Sequence, residues 1–353
     1  MSTHRAVCFT LWFSTHNNLR YADLFARIGA VVRFHKVTLS SQRILRGVQY
    51  RLWHALREAV IYPRVIRYLG GRYDTLFTVD CSQIALWPRP NSVVVDVDDP
   101  LFSADEVVAL NLPQVKAIIV TTEKAKSIFQ SLGVDRPIHV IPQGVPVGNT
   151  DPVEVEKIRR SFKNADDVIV GYNAPTLTMA ADGPNRGRGG QDDLDFLLGA
   201  LDDARKLEPR LKLWLFGVPS EALKQHISRG RESWVKLFGY VSFFEMLNYL
   251  KNVDIGVYPR IWDPPPARFS LKIAQFMGCG IPIVSRELDE SFIISEAGCG
   301  IVCKTQRAFT EALVDLTKNK EKRVSIGAAG RSYAEINLDW SVLVPAYKAI
   351  LTS

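Results

Sequence analysis

At 353 residues the chain is long for a single hydrophobic core, so two domains are expected. Its 47% hydrophobic and 23% charged content is that of a globular protein, and no apolar run approaches the ~20 residues that would cross a bilayer. The net charge of +7 is a local feature: residues 1–150 hold 17 Lys/Arg against 11 Asp/Glu, the remainder 27 against 26.

The first ten residues lack the long apolar core and small-residue cleavage site of a signal peptide and read as an opening strand. Strands are predicted at Ala6–Phe9, Val31–Lys36, Thr75–Val79, Ser92–Val97, Ala117–Thr121 and His139–Pro142. Helices are predicted over 18–28, 44–70, 103–110 and 122–132. The turn after the first strand runs from Phe13 to Asn18. It is not Gly-x-Gly-x-x-Gly, which argues against a dehydrogenase. His16 lies in that turn, where Asn17 and Asn18 tolerate left-handed backbone.

Arginine recurs at 43, 46, 51, 57, 64 and 67, beside an apolar stripe of Leu45, Val48, Leu52, Leu56, Ala59 and Val60. With Tyr50 and Trp53 this reads as either a basic amphipathic helix for an anionic membrane surface or a core-facing helix with a solvated arginine face. No nucleic-acid-binding motif accompanies it. Further on, Asp96, Asp98 and Asp99 follow a buried strand, with Asp96 and Asp98 on one side by alternation. Asp80 stands after another strand.

Glycine, proline and small polar residues from Val140 to Pro152 read as a linker. A second set of strands follows at Val168–Tyr172, Lys212–Phe216, Val235–Gly239, Ile255–Tyr258 and Ile281–Ser285. Helices are predicted over 191–207, 220–229, 243–251, 269–277, 306–318, 320–335 and 340–351. Ala180 to Gly190 is too rich in glycine to form a regular element and contains Arg186 and Arg188. Pro264–Pro266 precede a short apolar helix that ends at Gly278-Cys279-Gly280. Its N-terminus, with Arg268 and Lys272 beside it, is suited to an anion such as a phosphate. The five cysteines, at 8, 81, 279, 299 and 303, are odd in number and scattered, which argues for a reducing cytoplasm rather than a disulfide framework. Cys299 and Cys303 lack a CxxC spacing and a nearby histidine, and read as buried free thiols rather than metal ligands.

Four segments carry a family resemblance. KIAQFMGCGIPIVS (272–285) resembles the donor-site helix and strand of GT-B glycosyltransferases, especially the retaining family-4 group. In the same order, VKAIIVTTEKAKSIFQSLGVDRPIHVIPQGV (115–145) resembles the end of that family's N-terminal domain. LKLWLFGVP (211–219) and VKLFGYVSFFEMLNYLKNVDIGVYPR (235–260) resemble its later strand, turn and helix segments. The resemblance implies an α/β GT-B fold, two Rossmann-like domains facing across a cleft. It implies an acceptor-side domain at 1–148, a nucleotide-sugar domain at 149–335, and a C-terminal helix at 336–353 crossing back to the first.

The same resemblance implies a glycosyltransferase that uses a nucleotide diphosphate sugar and no metal cofactor. It would be retaining, and would build a polysaccharide or glycoconjugate on a glycan or lipid-linked acceptor. It would be cytoplasmic, with peripheral contact at the inner membrane face through residues 43–67. Lys272 and Arg188, with Arg268, would neutralise the diphosphate; Phe269 and Ser270 would line the helix start. Gly239, Tyr240 and Val241 would meet the nucleoside, and Gln275 the ribose hydroxyls. Asp98, with His16, would serve the acceptor side. The family's usual pair of glutamates falls on Ala267 and Gln275. That departure raises two rivals: a GT-B binding or scaffold protein without catalysis, and a nucleotide-sugar epimerase.

Overall fold

The computed structural model describes residues 5–10, 24, 27–28, 33–38, 52, 56–79, 81–88, 91–182, 194–260 and 267–353. His16, Asp80, Arg186, Arg188 and Pro264–Pro266 lie outside the described residues, as do most of the predicted helix 18–28 and most of the first part of the predicted helix 44–70. The chain divides into two compact units. The first holds Met1–Pro142, Pro265–Arg268 and Ser341–Ser353; the second holds Gln143–Pro264 and Phe269–Trp340. The division thus falls at Pro142–Gln143 rather than at 148, and four residues before the donor-type helix count with the first unit.

In chain order the elements are β1 (Arg5–Thr10), β2 (Arg33–Thr38), α1 (Tyr62–Gly70), β3 (Thr75–Thr78), β4 (Ser92–Val97), α2 (Ala104–Leu110), β5 (Val115–Val120), α3 (Glu123–Ser131) and β6 (Ile138–Val140). They continue with α4 (Pro152–Phe162), β7 (Val168–Leu177), α5 (Leu194–Leu207), β8 (Leu211–Pro219), α6 (Glu221–Ser228), β9 (Val235–Gly239), α7 (Phe243–Leu250) and β10 (Ile255–Tyr258). The last are α8 (Leu271–Cys279), β11 (Ile283–Arg286), α9 (Phe292–Glu296), β12 (Gly300–Cys303), α10 (Gln306–Lys318), α11 (Lys320–Asn337) and α12 (Trp340–Thr352).

The first unit is built on a parallel sheet in the order β2-β1-β3-β4-β5-β6. Its strands are continuous apolar runs because both faces are covered: Val93, Val94 and Val95 are all fully buried. Short polar side chains start its helices. Ser103 accepts from the Glu106 amide at 3.2 Å and caps α2. Thr122 accepts from Ala125 at 3.1 Å and caps α3, and its hydroxyl donates to the Ala267 carbonyl. Ala267 is buried in this unit's core with φ +80°. On α12, Tyr347 donates its hydroxyl to Asp96 at 3.1 Å, and both residues are fully buried.

The second unit is a parallel sheet in the order β12-β11-β10-β7-β8-β9. Counted within the unit, this is the doubly wound Rossmann order, with its switch point between β7 and β10. Lys163 pairs with Asp254 at 2.7 Å, and that carboxylate also accepts the first amide of the β7 interior, Ile169. The return of the chain is anchored within this unit. Val145 N–H bonds the Leu338 carbonyl at 2.9 Å, and Val147 N–H bonds Asp339 at 2.8 Å. Gly144 leaves room for the buried Trp340 ring, 2.5 Å from where a Cβ would stand.

Several elements differ from the sequence reading, among them α9, a five-residue helix for which no element was expected. The segment after the expected linker is a helix, α4, with Asp151 accepting from the Val153 amide and Pro152 in the first turn. Its charged face hid an apolar stripe reduced to the buried Ile158, although Asp-Pro is a helix-start signal. β12 is only four residues long, below the length at which a periodic pattern shows. β7 extends beyond Tyr172 to Leu177 with a register irregularity after Asn173.

α8 carries the site. Ile273 through Cys279 are all buried, and Gly280 closes the helix in the left-handed region at φ 73°. It lies against β10 where Gly256 has no side chain; a Cβ there would meet the Phe276 ring at 2.7 Å. Gly256→Ala is therefore expected to destabilise the second unit by about 1–3 kcal/mol through overpacking, read as a lower urea midpoint. An unchanged midpoint would show that α8 can shift to make room.

Candidate active site

The C-terminal ends of β7 and β10 flank the switch point of the second sheet, where open α/β sheets bind ligands. Tyr172 and Asn173 stand on β7, and Tyr258 ends β10. The first turn of α8 reaches the same place. Lys272, half-buried, holds its ammonium 5.1 Å from the centre of the Tyr172 ring and 5.6 Å from that of Tyr258. A cation at that distance over a ring face is attracted by its quadrupole. Ser270 occupies the N-cap position and makes no side-chain bond to the helix amides. The helix start thus offers amides, a partial positive charge and a lysine to an anion.

One turn further, Gln275 is 4% exposed and accepts a hydrogen bond from Asn173 Nδ2 at 2.9 Å. The pair bridges β7 and α8. Below Tyr258 lies a buried polar triangle. The Tyr258 hydroxyl donates to Glu290 Oε1 at 2.7 Å, and Arg260 Nη1 reaches both that oxygen and the hydroxyl at 3.0 Å.

β8 and β9 complete the rim. Gly217 has φ +145°, and a Cβ there would stand 2.0 Å from the Ala174 carbonyl oxygen, so the strands cross closely. Gly239 has φ +69°, and the space where a Cβ would stand is open to 4 Å. Tyr240 is 43% exposed, whereas Val241 and Phe269 are buried in one core cluster. Val241 and Phe269 therefore contribute their side chains to packing, and only their backbone groups are left for a ligand.

In the first unit, the three aspartates after β4 separate by role. Asp96 is buried against Tyr347. Asp98 is half-buried at the strand's C-terminal end. Asp99 is exposed and pairs with Arg268 at 2.8 Å. Ser270, Lys272 and Gln275 thus lie on the cap and first two turns of α8, and Arg268 pairs with Asp99 in the first unit. Alternation did not distinguish Asp96 from Asp98, since the packing of α12 on β4 is a long-range contact.

Sequence reasoning missed Tyr172, Tyr258, Asn173, Arg260 and Glu290. Tyr172 and Tyr258 end two of the predicted strands, so the rule that ligands lie beyond strand ends could have found them. Glu290 lies after β11 and carried no local signal. Among the described residues no group of three or more His, Cys, Asp or Glu is placed to hold a metal ion, and no helix is long and apolar enough to cross a membrane.

Residues 186–319 match the family of glycosyl transferases group 1. A curated relative is the GDP-mannose-dependent monoacylated alpha-(1-6)-phosphatidylinositol monomannoside mannosyltransferase of Corynebacterium glutamicum. It is 23% identical over 239 residues, covering 66% of this chain and 60% of the relative. The match thus spans less than two thirds of that relative's length. Among solved structures, Anabaena HepE in complex with UDP and glucose superposes with a TM-score of 0.71 at 15% identity, over 99% of both chains. WaaG, a glycosyltransferase involved in lipopolysaccharide biosynthesis, gives 0.71 at 14% identity, over 99% of this chain and 100% of that one. Sucrose-phosphate synthase from Thermosynechococcus elongatus gives 0.74 at 13% identity, over 99% and 98%.

The fold is therefore GT-B, two Rossmann-like domains each on a parallel sheet. The match to the family of glycosyl transferases group 1 falls on the unit that carries Lys272 and Gln275.

The cysteines stand apart from this chemistry. Cys279, Cys299 and Cys303 are buried free thiols. Burial pushes the first two up to about 12 and Cys303 up to about 11. All three are expected to escape alkylation at pH 8 in the native protein and to react fully in guanidinium chloride, as read by peptide mass mapping. Native labelling of any of them would contradict the packing.

Proposed function

We propose that the chain moves a sugar from a nucleotide diphosphate sugar to a glycan or lipid-linked acceptor, with retention of configuration and without a metal cofactor. One observation carries the donor side: the Lys272 ammonium sits at the switch point of the second sheet, on the first turn of α8. As the glycosidic bond breaks, both bonding electrons stay with the diphosphate, and its charge rises. Lys272 and the helix amides face that increase, which lowers the barrier by fixed electrostatics. Arg188, outside the described residues, would join them from the glycine-rich segment. Gln275, steadied by Asn173, would bond the ribose hydroxyls, and the backbone of Gly239–Val241 would meet the base.

The acceptor role falls to the first unit, with Asp98 the nearest candidate and His16 its companion from the opening turn. In a retaining reaction the departing phosphate takes the acceptor proton, so Asp98 would orient the acceptor hydroxyl rather than deprotonate it. The names of the relatives support a nucleotide-sugar donor and a lipid-linked or glycan acceptor: one is a GDP-mannose-dependent glycolipid enzyme, one was solved with UDP and glucose.

Contact with an anionic membrane surface is part of the same proposal. Leu52 and Leu56, one helical turn apart, are 66% and 48% exposed, and Arg64 and Arg67 are exposed beyond them. These exposures favour the membrane-facing reading of the basic stretch over the core-facing one. A cytoplasmic enzyme held peripherally at the inner membrane face fits this surface.

The rival reading, a binding protein that has lost catalysis, is favoured by one observation: Ala267 is buried in the first unit's core and offers no carboxylate. Two measurements separate these. In a metal-free thermal-shift screen of UDP, GDP, ADP and CMP with their sugar conjugates, one nucleotide diphosphate is expected to raise Tm selectively; at 100 times Kd the stabilisation is about 2.7 kcal/mol. No rise for any nucleotide in folded protein would remove the donor site. Lys272→Ala is expected to lower transfer roughly 10- to 100-fold, the worth of a charged hydrogen bond, with Tm unchanged. Selective binding without turnover across a broad acceptor panel would establish the rival.

A further inference from the structure

Two aromatic rings flank the Lys272 ammonium, and one of them is locked from beneath. Tyr258 is fully buried at the end of β10, with Lys272 over its ring. Its hydroxyl belongs to the triangle with Arg260 and Glu290, whose side chains are 2% and 1% exposed. Glu290 is itself held by a tight turn, in which the Ser291 hydroxyl accepts from the Leu288 amide at 3.0 Å and donates to the Leu288 carbonyl at 2.6 Å. The second ring, Tyr172, is 1% exposed on the neighbouring strand β7.

A buried ion pair is a weak source of stability, because desolvation offsets most of its attraction. What this one does is geometric: it fixes the position and tilt of one phenol. A ring face can then orient an ammonium without cancelling its charge.

We propose that Tyr258 and Tyr172 form an aromatic cradle that positions the Lys272 ammonium for the donor diphosphate, and that the Arg260–Glu290 pair locks the Tyr258 side of the cradle. Tyr258, Tyr172, Arg260 and Glu290 are positioning residues in this scheme; none is required to touch the substrate. The proposal rests on the reading of Lys272 as the diphosphate cation. It adds that the lysine works at full strength only when both rings are in place.

The test is a double-mutant cycle on ligand binding. Calorimetric Kd values are measured for UDP and GDP, with uridine and guanosine as phosphate-free controls. The proteins are the full chain, Lys272→Ala, Tyr258→Leu, Tyr258→Phe and the Lys272→Ala/Tyr258→Leu double variant. Lys272→Ala is expected to weaken the preferred diphosphate tenfold or more and its nucleoside less than twofold. Tyr258→Leu is expected to weaken the diphosphate three- to tenfold with the nucleoside unchanged, and to have no further effect once Lys272 is alanine. Tyr258→Phe, which keeps the ring but loses the hydroxyl that the Arg260–Glu290 pair holds, is expected to recover only part of that loss; full recovery would overturn the lock.

If Tyr258→Leu weakens nucleoside and diphosphate alike, or costs the same with and without Lys272, the cradle is overturned and Tyr258 is a packing residue. If Lys272→Ala leaves diphosphate binding intact, the donor-cation reading falls and the cradle falls with it. Should Tyr258→Leu fail to fold, Tyr172→Leu completes the same cycle from the other strand, with the same outcomes deciding.

Discussion

The ring of Phe276 rests on the bare backbone of Gly256, and the candidate site depends on that contact. It lets α8 lie close to the middle of the second sheet, so that the helix starts beside the ends of β7 and β10. A bulkier residue on the strand would lift the helix and carry Lys272 and Gln275 away from Tyr172 and Asn173. The buried apolar face from Ile273 to Cys279 supplies the driving force, at about 25 cal/mol per Å² of apolar surface removed from water. The left-handed Gly280 then turns the chain directly into β11. The polar chemistry is thus placed by apolar packing, and hydrogen bonds such as Asn173 to Gln275 refine it.

Charge is managed differently in the two units. The second unit gathers a cation, helix amides and neutral amides at the central strands of its sheet, and sets its buried Arg260 and Glu290 against each other. The first unit commits its acidic cluster in turn: Asp96 to Tyr347, Asp99 to Arg268, with Asp98 between them at the end of β4. The chain segments that complete the first unit come from far along the sequence. Ala267 enters through its bond with Thr122, and α12 through Tyr347. Under the proposed transfer, the strongest fixed charge is needed where the leaving group develops, and the start of α8 brings Lys272 and the helix amides together.

Much of the fold was legible because parallel α/β units announce themselves locally. Apolar strands such as Val93–Val95, capped helices such as α3 behind Thr122, and the helix–glycine–strand run from Leu271 to Arg286 are short-range patterns. The buried thiols were readable from scatter and from the absence of a ligand spacing. What escaped was either short or charged: β12 has four residues, and α4 shows mostly its solvated face. Within the site, Lys272 and Gln275 could be named from one helix. Tyr172 was findable only as the end of a predicted strand, and its meeting with α8, like that of Asn173, was not, because they are about a hundred residues distant and meet α8 only through strand order.

The amino-acid sequence by itself determined the two-domain α/β class, the helix that offers its N-terminus to an anion, and the cation and amide on its first turns. Those properties follow from periodicity, capping and residue chemistry over fewer than about twenty neighbours. Only the tertiary structure decided which of several cations and carboxylates are engaged and which stand at the switch point. It gave Arg268 to Asp99, buried Asp96 beneath Tyr347, and set two tyrosines from β7 and β10 around Lys272. The reason is physical: pairing and burial depend on which strands lie side by side, and strand order is settled by packing of the whole sheet.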